Sequence, residues 1–510
     1  MVYGQGEMDA HRSSKTDLYG SARGLGMAGA FGALGGDITG VAINPAGVGV
    51  YRSSEVLTTL NFSSANIKTD FGGSTASDSR FKFNFDNIAY IGYFPMGDET
   101  VSSINFGFAY NRLKNFDRNY SSYGKGMRSS LAKWIAKDAT MSGHTIDELQ
   151  VRQEFDPYRD SRAPWIDILG FNGNLIKPVS GGYDTYLFDN ETVDPELNIS
   201  ERGSVETYDF TLGTNFSEKL YLGVTFSLTD MHYSISSRYS EFFGNTTDGF
   251  DLTNSLTEDG SGYGVSLGAI FRPVDALRIG LSYHSPTWYN MSRSFWGDIY
   301  SEITFDDKIE KTEASAPDKD PYGVFDYKLQ TPHRWTASIA GIIGANAIVS
   351  LDYELTDYTA MDMQDSDGSS AYYDNNENLY INEDFRKAST VRIGAEYRVT
   401  PQFSIRAGYA WMQNPYVKQV KDGNVGIMIS STGTIPHYTI EGDVNYITCG
   451  LGYRFTKNFY MDAAFVYRTQ TDDLYYFPKY FSDAQLLVDS TPAKFENKMY
   501  KGVLTLGYKF

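Results

Sequence analysis

From Val391 to Val399 the chain reads Val-Arg-Ile-Gly-Ala-Glu-Tyr-Arg-Val, with apolar residues at every second position. A tight turn at Thr400–Pro401 follows, and the segment from Phe403 to Trp411 alternates in the same way. Alternation with a period of two gives a β-strand one apolar face and one small or polar face. The two segments therefore predict a pair of strands joined by a short turn.

The same pattern recurs in fourteen segments along the chain. They are approximately 54–63, 86–95, 101–112, 205–216, 219–235, 262–272, 276–288, 333–344, 346–357, 389–399, 402–412, 443–455, 458–469 and 499–510. Short connections alternate with long ones, predicted at 64–85, 113–204, 236–261, 289–332, 358–388, 413–442 and 470–498. An even number of strands, with tight turns on one side and long loops on the other, is typical of bacterial outer-membrane barrels.

We therefore predict an all-β fold, a 14-stranded antiparallel transmembrane β-barrel. Segments of about ten residues are long enough for a tilted strand to cross the hydrocarbon layer. A closed barrel also pairs every backbone N–H and C=O group without water. A soluble β-sandwich also has alternating strands, but it explains the regular change between short and long connections poorly.

Composition excludes several classes of function. The net charge of -19 argues against a nucleic-acid-binding face, and the single cysteine excludes an internal disulfide framework. We find no run of about eighteen apolar residues that would form a transmembrane helix. No signal peptide is visible at the start of the chain, and we expect one to have been removed from a protein of the bacterial outer membrane.

The first fifty residues follow a different pattern, rich in glycine and alanine. The segment reads Ala22-Arg-Gly-Leu-Gly-Met-Ala-Gly-Ala-Phe31 and continues to Asn44-Pro-Ala-Gly47. It is too short for an independent domain and lacks a phosphate-binding loop motif. The inward faces of the predicted strands carry many glycines and polar residues, which leave room for a packed segment. We predict an N-terminal plug at 1–52 and a barrel at 53–510.

These two motifs resemble the N-terminal hatch of the FadL/TodX family of outer-membrane transport proteins. The fourteen strands and the terminal Phe510 are also similar to that family. The resemblance assigns the hatch motif to Asn44, Pro45 and Ala46, and hatch glycines to Gly24, Gly26 and Gly29.

The resemblance implies passive uptake of long-chain fatty acids or other hydrophobic compounds. Extracellular loops would capture the ligand, and hatch movement would open a path that leaves through a gap in the wall beside a kinked third strand. The third strand here is Val101–Arg112, so Asn105 and Gly107 are candidates for this lateral opening. Gly107 is alternatively one of many glycines that line the lumen.

The longest predicted loop, 113–204, contains the candidates for ligand capture. Leu131, Trp134 and Ile135 have the i, i+3, i+4 spacing of one helical face, and an apolar run extends from Trp165 to Phe171. These residues form either a surface groove that binds ligand or a small core that caps the barrel.

The sequence contains no complete motif for metal binding or catalysis. The segments 365–368 and 374–378 resemble fragments of calcium loops without the full spacing, so we expect solvated acidic loops. No HExxH or GxSxG motif is present, and we predict no enzyme activity, no cofactor and no metal site.

The expected partners are outer-membrane lipid and lipopolysaccharide, a hydrophobic small molecule and, at the extracellular loops, a protein. Alternative functions are a secretion or assembly component on the same barrel, a haem receptor or a porin.

Overall fold

Fourteen antiparallel strands form a closed barrel in the computed structural model of the chain. The structure describes residues 6–97, 100–188, 190–244, 247–305, 307–316, 324–370, 377–423, 433–482 and 485–510. The barrel strands are β1 (Glu55–Phe71), β2 (Ser74–Pro95), β3 (Val101–Asn115), β4 (Val193–Phe216), β5 (Leu220–Phe243), β6 (Gly249–Val274), β7 (Leu277–His284), β8 (Arg334–Ile343), β9 (Ala347–Asp357), β10 (Lys387–Arg398), β11 (Phe403–Met412), β12 (Val444–Arg454), β13 (Phe459–Tyr475) and β14 (Ala493–Lys509).

The barrel closes where β1 pairs with β14, from Glu55 opposite Lys509 to Asp70 opposite Lys494. Every other barrel strand pairs with the next strand along the chain, as between β4 and β5 or β13 and β14. Each of the fourteen predicted segments overlaps one of these strands. The predicted fold class is confirmed.

Several predicted long loops are in fact strands. β1 and β2 continue to a tight turn at Gly72–Gly73, so the loop predicted at 64–85 is wrong. β5 and β6 likewise continue through most of the loop predicted at 236–261. Apart from Phe81, Phe83 and Phe85 on β2, these extensions carry mostly polar residues on their outer face, such as Lys68 and Asp70, so the apolar alternation that marks the lower half is weaker in them.

The predicted loops at 289–332 and 113–204 also contain regular structure. The first holds strands at Trp288–Phe305, Lys308–Ser315 and Val324–Gln330, and the first of these pairs with β6. The second holds a strand at Arg118–Tyr123 and the helices Leu131–Met141, Ile146–Leu149, Pro157–Asp160 and Trp165–Asn172. The remaining short strands are Ile176–Val179, Gly182–Thr185, Asp362–Asp365, Tyr438–Ile440, Tyr480–Ser482 and Gln485–Val488, and the remaining helices of the loops are Tyr358–Ala360, Glu377–Asp384 and Lys418–Lys421.

The outer face of the lower barrel is a continuous apolar band. On β5, Leu222, Val224, Phe226 and Leu228 all point outward and are exposed. Large apolar side chains occupy the matching outward positions of the neighbouring strands, which is the surface that lipid covers. No helix among the described residues is both long and apolar enough to cross a membrane.

Three strands are much longer than a bilayer requires. β4, β5 and β6 have 24, 24 and 26 residues, whereas about ten residues cross the hydrocarbon layer. The extra length lies on the long-loop side, where the helices of the 113–204 region pack against it. Ser130, at the start of the helix Leu131–Met141, donates to Glu241 on β5 at 2.6 Å, and Trp165 lies 4.9 Å between ring centroids from Phe295, on the strand that pairs with β6. The barrel therefore continues as a protein-packed tube beyond the lipid.

Residues 6–50, which we call the N-terminal segment, lie inside the barrel. They form helices α1 (Glu7–Ser14), α2 (Ala22–Gly26) and α3 (Ile38–Ile43) and a 3-10 turn at Pro45–Val50. Ala22 donates its N–H to the hydroxyl of Thr505 on β14 at 2.7 Å, and Phe31 donates to the carboxylate of Asp352 on β9 at 3.0 Å. Contacts to well-separated strands show that the segment lies within the lumen.

Candidate functional site

The Asn44-Pro-Ala triplet lies against the inner wall towards the short-turn end of the barrel. Asn44 precedes the 3-10 turn, and its side-chain oxygen accepts the N–H of Ala46 at 3.1 Å. Its side-chain amide donates to the carbonyls of Gly32 at 2.8 Å and Ala269 at 3.1 Å. Only a side chain with both a donor and an acceptor can make these three contacts. Asn44 therefore joins two parts of the N-terminal segment to strand β6.

Two wall glycines give this triplet its space. A Cβ atom on Gly268 of β6 would lie 2.0 Å from Asn44 Oδ1, and one on Gly223 of β5 would lie 2.3 Å from the carbonyl carbon of Pro45. Any larger residue would therefore overlap the segment unless the segment moved. The carbonyl of the adjacent Ile43 accepts from Ser282 at 2.8 Å. The hatch motif predicted from the sequence thus lies in a fitted seat on β5, β6 and β7.

The predicted hatch glycines lie in α2 and just after it. Gly24 and Gly26 are in α2, and a Cβ on Gly24 would overlap the side chain of Thr39. Gly26 approaches the Cα of Gly450 on β12, where a Cβ would be 3.2 Å away. Gly29 has a positive φ of 74°, a conformation that glycine adopts readily. All three allow the segment to fold back on itself or to approach the wall.

An ionic array fastens α2 to the opposite wall. Arg23 contacts the Glu396 carboxylate on β10 through two nitrogens, at 3.0 and 3.1 Å. Arg406 on β11 bridges Glu396 and Asp462, both at 2.6 Å. Since charges alternate along this array, each buried carboxylate has a cationic partner.

A second ionic cluster holds α1 at the long-loop end. Arg12 contacts Asp9 at 2.6 Å and Glu258 on β6 at 2.9 Å. Arg293 completes the ring, with Asp9 at 2.9 Å and Glu258 Oε1 at 3.0 Å from Nε. Arg293 and Glu258 are completely buried, and the Tyr327 hydroxyl also donates to Glu258. We refer to Asp9, Arg12, Glu258 and Arg293 as the α1 ring.

The main cavity of the lumen lies between these attachments. It has a volume of about 130 Å³ and is bounded by residues of α1, α3 and the wall. The polar residues on its wall include Thr207, Thr211, Thr225, Ser227 and Thr229. Ile38, Val41 and Ala42 of α3 form an apolar side. Sequence alternation predicted the inward direction of these wall residues but not the cavity, because its outline depends on how the N-terminal segment folds.

Asn105 and Gly107 lie in an uninterrupted part of the wall. Asn105 is completely buried and donates to the Val48 carbonyl at 2.7 Å, so it fastens the end of the N-terminal segment. Gly107 pairs with Ile91 on β2 and Thr211 on β4 in regular register. The irregularities of β3 lie elsewhere, at Val101/Ser103 and Arg112/Lys114. The structure therefore has a closed wall at both residues.

The ladder between β2 and β3 ends higher, at the Asn87–Asn111 pair. Asp86 is an extra residue in β2, because Thr59 pairs with Asn87 and Leu60 with Phe85. A bulge of this kind commonly ends or redirects strand pairing.

Side chains replace the backbone ladder above that point. Arg112 donates to Asn84 at 2.8 Å, and Lys82 lies 2.9 Å from Asp117. A small cavity of about 40 Å³ lies behind this seam, and Tyr19 and Leu113 line both it and the main cavity. We refer to the unpaired region above Asn87 and Asn111 as the β2–β3 seam. At this seam the lumen comes close to a break in backbone pairing.

A family model described as outer membrane protein transport protein (OMPP1/FadL/TodX) matches residues 212–497, more than half of the chain. The chain belongs to this family. The resemblance read from the sequence is confirmed, and so are the outer-membrane location and the family's general role in transport of hydrophobic compounds.

Solved structures give the same fold at low identity. A FadL homologue from Pseudomonas aeruginosa is 14% identical with a TM-score of 0.53, over 97% of this chain and 99% of that one. The TodX deltaS2S3 mutant, a monoaromatic hydrocarbon channel, is 12% identical with a TM-score of 0.52, over 97% of this chain and 100% of that one. At such identities the likeness establishes the fold alone. No curated protein matches the sequence.

The predicted capture residues of the 113–204 region are packed inside the loops. Leu131 and Ile135 are completely buried, and Trp134 and Trp165 are nearly so. Phe171 is partly buried and packs against the same core. The helices that carry them cover the upper barrel as a small core, and these side chains do not line an exposed groove.

One feature that the sequence analysis missed is a group of buried carboxyl groups where α1 meets the helix Glu377–Asp384. Burial raises the pKa of Glu377 to about 7 and that of Asp384 to about 7. Burial, followed by the charges of Asp384, Asp9 and Glu377, raises the pKa of Glu7 well above its usual value. No pattern in the sequence brings these two helices together.

Of the two acidic segments predicted as solvated loops, 365–368 forms a turn, and 374–376 lies outside the described residues.

Proposed function

We propose that this protein is a passive outer-membrane channel that takes up hydrophobic or amphipathic small molecules, with long-chain fatty acids or other apolar compounds as the family's expected range. The observation that carries the proposal is the position of the main cavity, between the N-terminal segment and the β2–β3 seam. A ligand in this cavity is enclosed by protein on one side and separated from the seam by Tyr19 and Leu113.

The physical advantage of this route is that the ligand never crosses the polar saccharide layer unprotected. Transfer of a buried methylene group back into water costs about 0.8 kcal/mol, so a protein-lined path lowers the barrier in proportion to ligand size. No energy source is required when a downstream reaction removes the compound. We therefore interpret the N-terminal segment as a hatch whose displacement connects the loop side, the cavity and the seam.

We propose that release occurs sideways through the β2–β3 seam. Side-chain contacts such as Arg112–Asn84 can separate without loss of the strand ladder below them. The exposed Phe81, Phe83 and Phe85 lie on the outer face of β2 beside it, where a departing ligand would meet lipid. Asn105 and Gly107 then have a different role, which is to seat the lower end of the hatch.

Ligand capture at Leu131, Trp134, Ile135, Trp165 and Phe171 stays a prediction. Because these side chains are packed, capture there requires the loop core to open. Binding of a protein partner or of lipopolysaccharide at the same loops also stays a prediction. The cavity in the lumen favours a channel over an assembly component, whose function would not need one.

The proposal is tested by locking the seam. Asn84→Cys and Arg112→Cys are joined with a short bis-maleimide in a Cys449→Ala background, which removes the exposed native cysteine. Uptake of a labelled hydrophobic compound by cells that carry the locked protein is expected to fall at least tenfold. The matched control joins Phe94→Cys and Ile104→Cys, which already face each other within the β2–β3 ladder.

Full uptake by the locked seam would contradict lateral release. Equal uptake by cells with and without the protein would contradict the channel itself. Asn44→Ala, which loosens the hatch seat, provides an independent variant that is expected to raise leakage through the bore.

A further inference from the structure

The main cavity has two chemically different sides. On the wall, three successive inward-facing pairs of the β4–β5 ladder carry side-chain oxygen atoms: Thr207 opposite Thr229, Asp209 opposite Ser227, and Thr211 opposite Thr225. The Thr211 and Thr225 hydroxyls are 2.8 Å apart, and Ser227 donates to Asp209 Oδ1 at 2.6 Å. We call these six residues the hydroxyl ladder. Elsewhere in the lining, α3 contributes the apolar residues Ile38, Val41 and Ala42.

The centre of the hydroxyl ladder has hydrogen-bonding capacity to spare. Asp209 accepts from Ser227 at 2.6 Å, from Asn111 at 2.8 Å and from Thr207 at 3.4 Å. An ionised carboxylate offers about four acceptor positions, and each hydroxyl can both donate and accept. A ligand hydroxyl at this point can therefore join the network without breaking any contact.

Cavity size limits the ligand as well. A cavity of about 150 Å³ lined by apolar side chains holds one benzene molecule. The main cavity, at about 130 Å³, matches a single six-membered ring and not a long acyl chain. In a cavity of this size, a ring in contact with α3 brings a ring substituent within reach of the hydroxyl ladder.

The hydroxyl ladder and the apolar residues of α3 favour different groups on the ligand. An unsubstituted hydrocarbon would displace water from the hydroxyl ladder without replacing its hydrogen bonds. A site built around hydrogen bonds discriminates strongly against an analogue that lacks the bonding group. A ring with a hydroxyl or similar group satisfies both sides, because the ring covers the apolar residues while the substituent bonds to the ladder.

We propose that the main cavity selects single-ring compounds that carry a hydroxyl or similar hydrogen-bonding substituent, over plain hydrocarbons and long-chain acids. This inference rests on the proposed channel function and narrows its substrate class. The hydroxyl ladder is the specificity-determining surface, and the apolar side of α3 provides the contact for the ring.

The test uses the full-length protein in lipid nanodiscs and three fluorinated probes observed by ¹⁹F NMR. These are 4-fluorobenzyl alcohol, 4-fluorotoluene and 16-fluoropalmitic acid, each corrected with empty nanodiscs. We expect 4-fluorobenzyl alcohol to bind at least tenfold more tightly than 4-fluorotoluene. Equal binding, or tighter binding of either other probe, would overturn the inference and leave the channel function intact.

A variant of the hydroxyl ladder provides the second measurement. The double change Thr211→Val and Ser227→Ala keeps the approximate shape and removes two hydroxyls. It is expected to weaken binding of the alcohol about tenfold and to leave 4-fluorotoluene unchanged or more tightly bound. The matched control is Thr58→Val, on the outward side of β1.

Each remaining outcome is decisive as well. A preference for the alcohol that survives in the hydroxyl-ladder variant would overturn the assignment of specificity to these residues. Failure of all three probes to bind the folded wild-type protein would contradict the proposed function as well as the inference. Circular dichroism and heat-modifiable gel mobility establish that the variants are folded barrels.

Discussion

The N-terminal segment is attached at its two ends in different ways. At the short-turn end, the Asn44-Pro-Ala triplet fits against Gly223 and Gly268 with neutral hydrogen bonds and close backbone approach. At the long-loop end, α1 is held by the α1 ring, whose members all carry charge. A neutral, shape-fitted contact depends on volume, whereas a buried ionic contact depends on every charge in it being present. Different substitutions should therefore detach the two ends from the wall. Loss of a charge from the α1 ring should release α1 while the Asn44-Pro-Ala triplet stays in place.

Removal of one charge from the α1 ring is expected to have the largest effect. Arg293→Met leaves the buried Glu258 and Asp9 with Arg12 as their one remaining shared cation, and breaking a buried pair in this way destabilises proteins by about 3–5 kcal/mol. Thermal unfolding and hydrogen exchange of residues 7–14 measure the loss. The matched control is Arg238→Met, whose exposed pair with Asp251 should contribute about 1 kcal/mol or less. Equal destabilisation by both variants would show that burial of the ring is unimportant.

The neutral seat is tested by a change in volume. Gly268→Ala places a Cβ against Asn44 Oδ1, and overpacking of this kind costs about 1–3 kcal/mol. We expect the lower end of the segment to leave its seat, with increased ion conductance in planar bilayers. Gly341→Ala on β8 is the control, because a Cβ there meets no atom within 4 Å. Unchanged conductance for Gly268→Ala would mean that the seat does not hold the segment in place.

A smaller loss of stability is expected from Asn44→Ala. This change adds no atoms to the contact with Gly223 and Gly268, but it removes the hydrogen bonds of the Asn44 side chain. Since the carbonyls of Gly32 and Ala269 and the N–H of Ala46 lose their partner, the loss should be about 1–2 kcal/mol. Conductance should rise less than for Gly268→Ala. A larger rise would indicate that hydrogen bonding, and not fit, dominates the short-turn end.

The smallest effect should be local and dependent on pH. The raised pKa values of Glu377 and Asp384, about 7, mean that the folded contact with α1 keeps protons that the unfolded carboxyls lose near pH 4. The contact is therefore most stable below about pH 4, and its stability falls as pH rises to about 7. Hydrogen exchange of residues 377–384, corrected for intrinsic rates, should show less protection at pH 8 than at pH 5. Glu377→Gln should reduce this difference, and a pH-independent wild type would contradict the assignment.

The sequence predicted the lower barrel well because each membrane-crossing strand must be apolar on its outer face. Leu222, Val224 and Phe226, for instance, alternate with Gly223 and Thr225, and lipid permits no other arrangement. The upper strands were missed because water tolerates polar residues, such as Lys68 and Asp70, on the outer face. Alternation in hydrophobicity therefore depends on whether lipid or water contacts the outer face of the strand, and it weakens where the strand leaves the lipid.

The sequence analysis identified residues of the site only where they belong to a short sequence motif. Asn44 and its neighbours were identified because the Asn-Pro-Ala triplet is a short local motif that resembles the hatch of a known family. The α1 ring joins Asp9 to Arg293, and the hydroxyl ladder depends on register between strands, so neither leaves a local pattern. Leu131 and Trp134 have the periodicity of a helix with one apolar face, but periodicity does not reveal whether that face binds a ligand or packs against strands.

The length of β6 determines where a solute first meets this protein. Its 26 residues, at about 3.3 Å each and tilted by roughly 40°, rise about 65 Å along the axis. Roughly 35 Å of that height stands above a hydrocarbon layer about 30 Å thick. The mouth therefore opens among or beyond the sugar chains of the cell surface, and the first encounter is with compounds dissolved in the surrounding water, not with those already partitioned into lipid.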